Sequence, residues 1–130
     1  MLIRPETSND YESITQVTLA TFTSGSYKPT EHLIIEGLRE VGALSLSLVA
    51  EVNKRIVGHV AFSVVSINGE DKGWYGLGPI SVQPEFQRRG IGSALITEGL
   101  LKIRQRGAQG CVLVGSSLYY NRFGFKSIWS

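Results

Sequence analysis

One continuous stretch, Trp74 to Gly115, constrains the fold most: an apolar strand runs through a glycine loop into a long helix and back into an apolar strand. Trp74–Val82 reads as the first strand. Gly90–Arg106 reads as a helix with Ile91, Leu95, Ile96, Leu100 and Ile103 as its apolar stripe, and Gly107 stops it. Gly110–Gly115 is a short, fully apolar strand. Strands joined by such a helix lie parallel in one sheet, with a right-handed crossover. The first strand is interrupted by Gly76, Gly78 and Pro79, which predicts a bulge or a close backbone approach by another group.

The rest of the chain supplies the elements around this unit. Leu2–Arg4, ended by Pro5, reads as an edge strand. Thr7-Ser8-Asn9-Asp10 offers helix N-caps, and Tyr11, Ile14, Thr18 and Phe22 follow at helical spacing. Thr23–Ser26 is a loop. A second helix follows Pro29-Thr30 with Leu33, Ile34, Leu38 and Val41 on one face. Leu44–Glu51 and Ile56–Ile67 are strands joined by a turn at Asn53-Lys54-Arg55, and Asn68-Gly69 marks a hairpin into Trp74–Val82. Leu118–Phe123 reads as a short helix and Phe125–Trp129 as extended chain. A meander feeding a βαβ unit gives an α/β (α+β) fold: a mixed, mainly antiparallel central sheet with helices on both faces. No repeat, low-complexity tract or linker divides residues 1–130, which are read as one domain.

Composition closes off several classes. Apolar residues are 42% and charged residues 18%, a globular balance, and the net charge of +2 implies no broad nucleic-acid surface. No apolar run approaches the roughly 20 residues that span a bilayer. Met1-Leu-Ile-Arg-Pro5 is no secretory leader. A single cysteine, Cys111, precludes an intrachain disulfide and reads as a buried strand residue. The expected location is the cytoplasm, and no metal site is expected.

The chemistry concentrates in Gln87-Arg88-Arg89-Gly90-Ile91-Gly92-Ser93, between a strand and a helix start. Free N–H groups at a helix N-terminus carry about half a positive charge. Gly90 and Gly92 remove side chains that would keep an anion from that backbone, and Arg88 and Arg89 add charge at the rim. Together they predict a phosphate or pyrophosphate site. A Walker A loop would need Lys-Ser/Thr after its glycines, where Ser93-Ala94 stand here. A dinucleotide fingerprint would need a third glycine, where Leu95 stands, and an acidic residue ending the next strand, which here ends in Gly115-Ser116.

The string Gln87-x-x-Gly90-x-Gly92 resembles the coenzyme A signature of GNAT N-acetyltransferases, and Leu77–Val82 resembles their splayed fourth strand. The likeness covers nearly all of the chain. Within the superfamily it resembles the YhbS-like group, through Gly76-Leu-Gly-Pro79 and the tail Tyr119-Tyr-Asn-Arg-Phe-Gly-Phe125. The resemblance implies acetyl transfer from acetyl-CoA to an amine, by direct attack in a ternary complex. It implies that the backbone of Ile80 and Val82 pairs with the pantetheine arm and the acetyl carbonyl. It implies that Gln87, Arg88, Arg89, Gly90, Ile91, Gly92 and Ser93 bind the coenzyme, with the pyrophosphate at Arg88–Ser93. It also implies that Tyr120, separated by three residues from Gly124-Phe125, is the general acid toward the departing thiolate.

Other positions stay open. Tyr119 reads as packing, and Arg122 as either a phosphate contact or a solvated charge. An asparagine that many relatives carry seven residues before the tyrosine is replaced by Leu113. Glu51, His59 and Glu85 are the candidate bases, against proton removal through ordered water. At most one short strand follows Gly124, so the expected open sheet edge invites a homodimer. The acceptor is a small-molecule or peptide amine. The alternatives are a non-catalytic acyl-CoA-binding module and an unrelated nucleotide-phosphate binder.

Overall fold

The computed structural model describes residues 1–23, 29–67, 69–114 and 125–127. In chain order these form β1 (Leu2–Pro5), a 3-10 turn at Ser8–Asp10, α1 (Tyr11–Phe22), α2 (Glu31–Glu40), β2 (Leu44–Val52), β3 (Arg55–Ile67), β4 (Glu70–Val82), a second 3-10 turn at Pro84–Phe86, α3 (Ile91–Gln105), β5 (Gly110–Val114) and β6 (Phe125–Ser127). The expected helix at Leu118–Phe123 lies outside the described residues. The sheet follows chain order from β1 to β6. Its pairings are antiparallel except β4 with β5, which is parallel, as the helical crossover requires. β4 begins at Glu70, earlier than Trp74, because the hairpin register Ile67–Glu70 extends the ladder to the turn.

Helices cover both faces. Beneath α3, Leu46, Leu48, Ala50, Val57, Val60, Phe62 and Leu77 from the sheet meet Ile91, Leu95 and Ile103 from the helix, with Cys111 among them. Gly99 lets α3 come down onto the sheet, since a Cβ there would overlap the Phe62 ring. Burial pushes the Cys111 thiol up to about 11, so it is an inert core group.

The opposite face, under α1 and α2, has a smaller apolar cluster of Ile14, Ile35 and Val49. The inward side of α2 differs from the face read off its apolar residues. Glu31 and Ile35 are buried, whereas Leu33 and Val41 are exposed. Arg39 fixes this rotation: it pairs with Glu6 at 2.8 Å and stacks 3.8 Å above the Tyr11 ring.

Candidate active site

The site is built where β4 leaves β5. Among the described residues the two strands pair from Trp74–Gly110 to Leu77–Leu113, while β3 and β4 stay paired to Gly58–Val82. Between Val60–Ile80 and Phe62–Leu77 the register shifts, so Gly78 and Pro79 face Ala61 alone. This is the bulge that the glycines and proline predicted.

The ladder also sets where the β4 backbone points. Gln83 N–H donates to the Val57 carbonyl at 2.8 Å, one step beyond the Gly58–Val82 pair. Bonded pairs alternate along an antiparallel ladder. Ser81 therefore bonds His59, and the main-chain groups of Ile80 and Val82 turn to the edge that β5 has left. The strand thus presents an open edge at the two positions expected to meet the coenzyme arm.

That edge leads into the loop. Gly90 is the N-cap of α3 with φ +83, in the left-handed region that favours glycine. No side chain caps the helix, and its first internal bond runs from Ala94 N–H to the Gly90 carbonyl at 3.0 Å. The N–H groups of Ile91, Gly92 and Ser93 therefore lack helical acceptors. A Cβ at Gly92 would meet Ile80 Cδ1 and Val82 Cγ2 at 3.8 Å, an ordinary contact. The chain's own packing thus tolerates a side chain at Gly92. Arg88 also has a left-handed φ, +65, a conformation disfavoured by about 1 kcal/mol in a residue with a side chain. A depression of about 240 Å³ is lined by Val82, Phe86, Gln87, Arg88 and Gly90–Ser93.

The structure separates the roles inside the motif. Gly90, Gly92 and Ser93 offer backbone at the helix start, and Arg88 is exposed beside it. The Ile91 side chain is buried in the core, which leaves its N–H as the group a ligand can reach. Arg89 lies with its guanidinium 5.4 Å from the Phe86 ring centroid, on the rim. Gln87 is exposed, and its Nε2 donates back to the Val82 carbonyl at 2.9 Å, bracing the loop against β4. Tyr120 lies outside the described residues, as do Tyr119, Arg122 and Gly124.

Each candidate base is occupied. Glu51 pairs with Arg4 at 2.9 Å, and exposed Glu85 pairs with Arg55 at 3.2 Å. His59 is fully buried, with Nε2 2.7 Å from Ser47 Oγ. Ser47 Oγ lies 2.6 Å from Glu6 Oε1, so its proton goes to that carboxylate and His59 Nε2–H must donate to Ser47. Nδ1 then carries a lone pair, buried and without a partner among the described residues. Burial first, and Arg39 second, hold the imidazole down to about 3, far too low to deprotonate an ammonium.

Sequence reasoning missed the polar layer on this face. Ser81 Oγ lies 3.4 Å from Thr18 Oγ1, and Thr21 Oγ1 donates to the Val82 carbonyl at 3.0 Å, tying α1 to β4. The visible signal was threonines placed among apolar residues of a helix. Among the described residues, no group of three or more His, Cys, Asp or Glu side chains could hold a metal ion, and no helix is long and apolar enough to cross a membrane.

Residues 43–127 match the acetyltransferase (GNAT) domain model. The uncharacterized N-acetyltransferase YhbS of Escherichia coli (strain K12) is 35% identical over 127 residues, covering 97% of this chain and 74% of that protein. A GNAT family acetyltransferase from Brucella melitensis, solved in complex with acetyl-CoA, is 52% identical with a TM-score of 0.84, covering 96% of this chain and 82% of that one. Escherichia coli YhbS in complex with CoA superposes with a TM-score of 0.81 at 34% identity, covering 96% and 68% of the two chains. The matched span, the identities and the coverage agree with the geometry: this chain belongs to the GNAT acetyltransferase family.

Proposed function

We propose that acetyl-CoA lies along the open edge of β4, its pantetheine arm on the main-chain groups of Ile80 and Val82 and its pyrophosphate on Gly90–Ser93 and Arg88. Acetyl transfer from acetyl-CoA to an amine follows from the family itself. One observation carries the placement. Among the described residues β4 pairs with β5 only as far as Leu77, and Ile80 and Val82 turn their backbone to that side just ahead of the α3 N-terminus. In the reaction, the neutral amine attacks the thioester carbonyl carbon, the C–S bond breaks, and Tyr120 gives its proton to the leaving sulfur. Because Glu51 and Glu85 are ion-paired and His59 is buried, the amine proton leaves through water. The acceptor is a small amine or a peptide amine, and the compartment is the cytoplasm. Homodimer formation through the β6 edge belongs to the same reading, and light scattering checks it. Relatives named as acetyltransferases, with acetyl-CoA bound to one of them, favour an enzyme over a non-catalytic acyl-CoA module.

Thiol release from acetyl-CoA over an amine panel tests the reading. Tyr120→Phe should lower turnover about 10²-fold while leaving the coenzyme Kd unchanged. Unchanged turnover in that variant would remove Tyr120 as the acid and leave the coenzyme site standing.

A further inference from the structure

The Val82 carbonyl accepts two hydrogen bonds, from Gln87 Nε2 at 2.9 Å and Thr21 Oγ1 at 3.0 Å. A carbonyl oxygen has two lone pairs, and these two donors reach both, Thr21 with a proton that it shares with the Val17 carbonyl. It lies where three elements meet: the end of β4, the coenzyme loop and the last turn of α1. A helical threonine commonly bonds back to the carbonyl four residues earlier. Thr18 does so to Ile14 at 2.7 Å, and Thr23 to Leu19 at 2.6 Å. Thr21 differs. Its single proton has the Val17 carbonyl at 2.8 Å and, across the fold, the Val82 carbonyl at 3.0 Å.

The geometry points to Thr21 as a positioning residue for the coenzyme, one that selects the register of the pantetheine arm on β4. This rests on the placement proposed above. A strand edge repeats every two residues, so an arm that pairs with it has alternative registers. With Gln87 and the shared Thr21 proton held against the Val82 carbonyl, the groups left to the edge are Ile80 N–H, Ile80 C=O and Val82 N–H. An arm amide seeking an acceptor must use Ile80, next to the bulge. Without Thr21 the Val82 carbonyl regains a lone pair, and a register displaced toward the loop competes. Gln87 shares the task from the other side.

Calorimetric titration with CoA and with adenosine 3′,5′-bisphosphate, which lacks the arm, tests this. Thr21→Val keeps the shape and removes the donor. It should raise the CoA Kd about five- to tenfold and leave the bisphosphate Kd within about twofold of wild type. Thr21→Ser should restore CoA binding. Thr21→Ala gives the same deletion should the valine variant fail to fold. Equal CoA affinity in wild type and the deletion variant would overturn the inference, and so would equal weakening of both ligands. Arg88→Ala, run in parallel, separates the two levels. If it weakens both ligands, the coenzyme site stands whatever Thr21 does; if it changes neither, the placement itself fails.

Discussion

The two faces of the sheet are built on different principles. Under α3 the layer is apolar and close-packed, from Leu46 and Phe62 to Leu95 and Ile103. Under α1 and α2 the apolar cluster is small, and a hydrogen-bonded layer runs beside it from Arg39 through Glu6 and Ser47 to His59. The first face holds the start of α3 rigid, as an anion site requires. The second ties α1 to β4 through hydroxyls and carries the fully buried His59 imidazole. The α3 face should therefore respond to changes of volume, and the α1/α2 face to changes of pH and hydrogen bonding.

The largest expected effect is on volume. Phe62→Ala should lower unfolding stability by about 4 kcal/mol in urea titration, because a fully buried ring leaves a cavity under α3. A loss below about 1 kcal/mol would show that this face is loosely packed. Gly99→Ala should cost about 2 kcal/mol for the opposite reason, overlap with the same ring.

The pH response comes next. His59 has its imidazole lowered from 6.5 to about 3 in the folded state, so the unfolded chain binds the extra proton first as pH falls. Stability from neutral His59 is complete above about pH 6.5 and is lost toward pH 3, with a limiting slope of about 1.4 kcal/mol per pH unit. Asp10, lowered to about 2 first by its bond to Arg4, acts in the same direction but only below about pH 4. His59→Leu should flatten the stability curve between pH 4 and 6.5 and leave the lower limb. An unchanged curve would assign the slope to other groups.

A smaller effect separates two glycines of one motif. Gly90→Ala should destabilise the fold by about 1 kcal/mol, since its φ of +83 penalises a side chain. Gly92→Ala should leave thermal unfolding almost unchanged and weaken CoA binding instead, because its Cβ meets nothing closer than 3.8 Å. Equal effects of the two on stability would contradict their division of roles.

Legibility in the sequence followed local backbone rules. Gly78 and Pro79 signalled the bulge because neither suits a strand interior, and the apolar stripe that follows Gly90 signalled the helix. What tertiary packing decides was not legible. The bond from the Gln87 amide back to the Val82 carbonyl has no counterpart in the sequence reading. Apolar spacing put Leu33 and Val41 on the inner side of α2, while pairing of Arg39 with Glu6 rotates the helix so that Glu31 and Ile35 face inward. The link from Thr21 to Val82 joins residues far apart in sequence, and no local pattern encodes it.

The placement of the coenzyme on β4 is tested most directly by amide hydrogen exchange with and without CoA. The account predicts that the Ile80 and Val82 N–H groups, turned to the open edge, gain protection with CoA, while the Ser81 N–H, already bonded to His59, does not change. Unaltered exchange at Ile80 and Val82 under saturating CoA would contradict it.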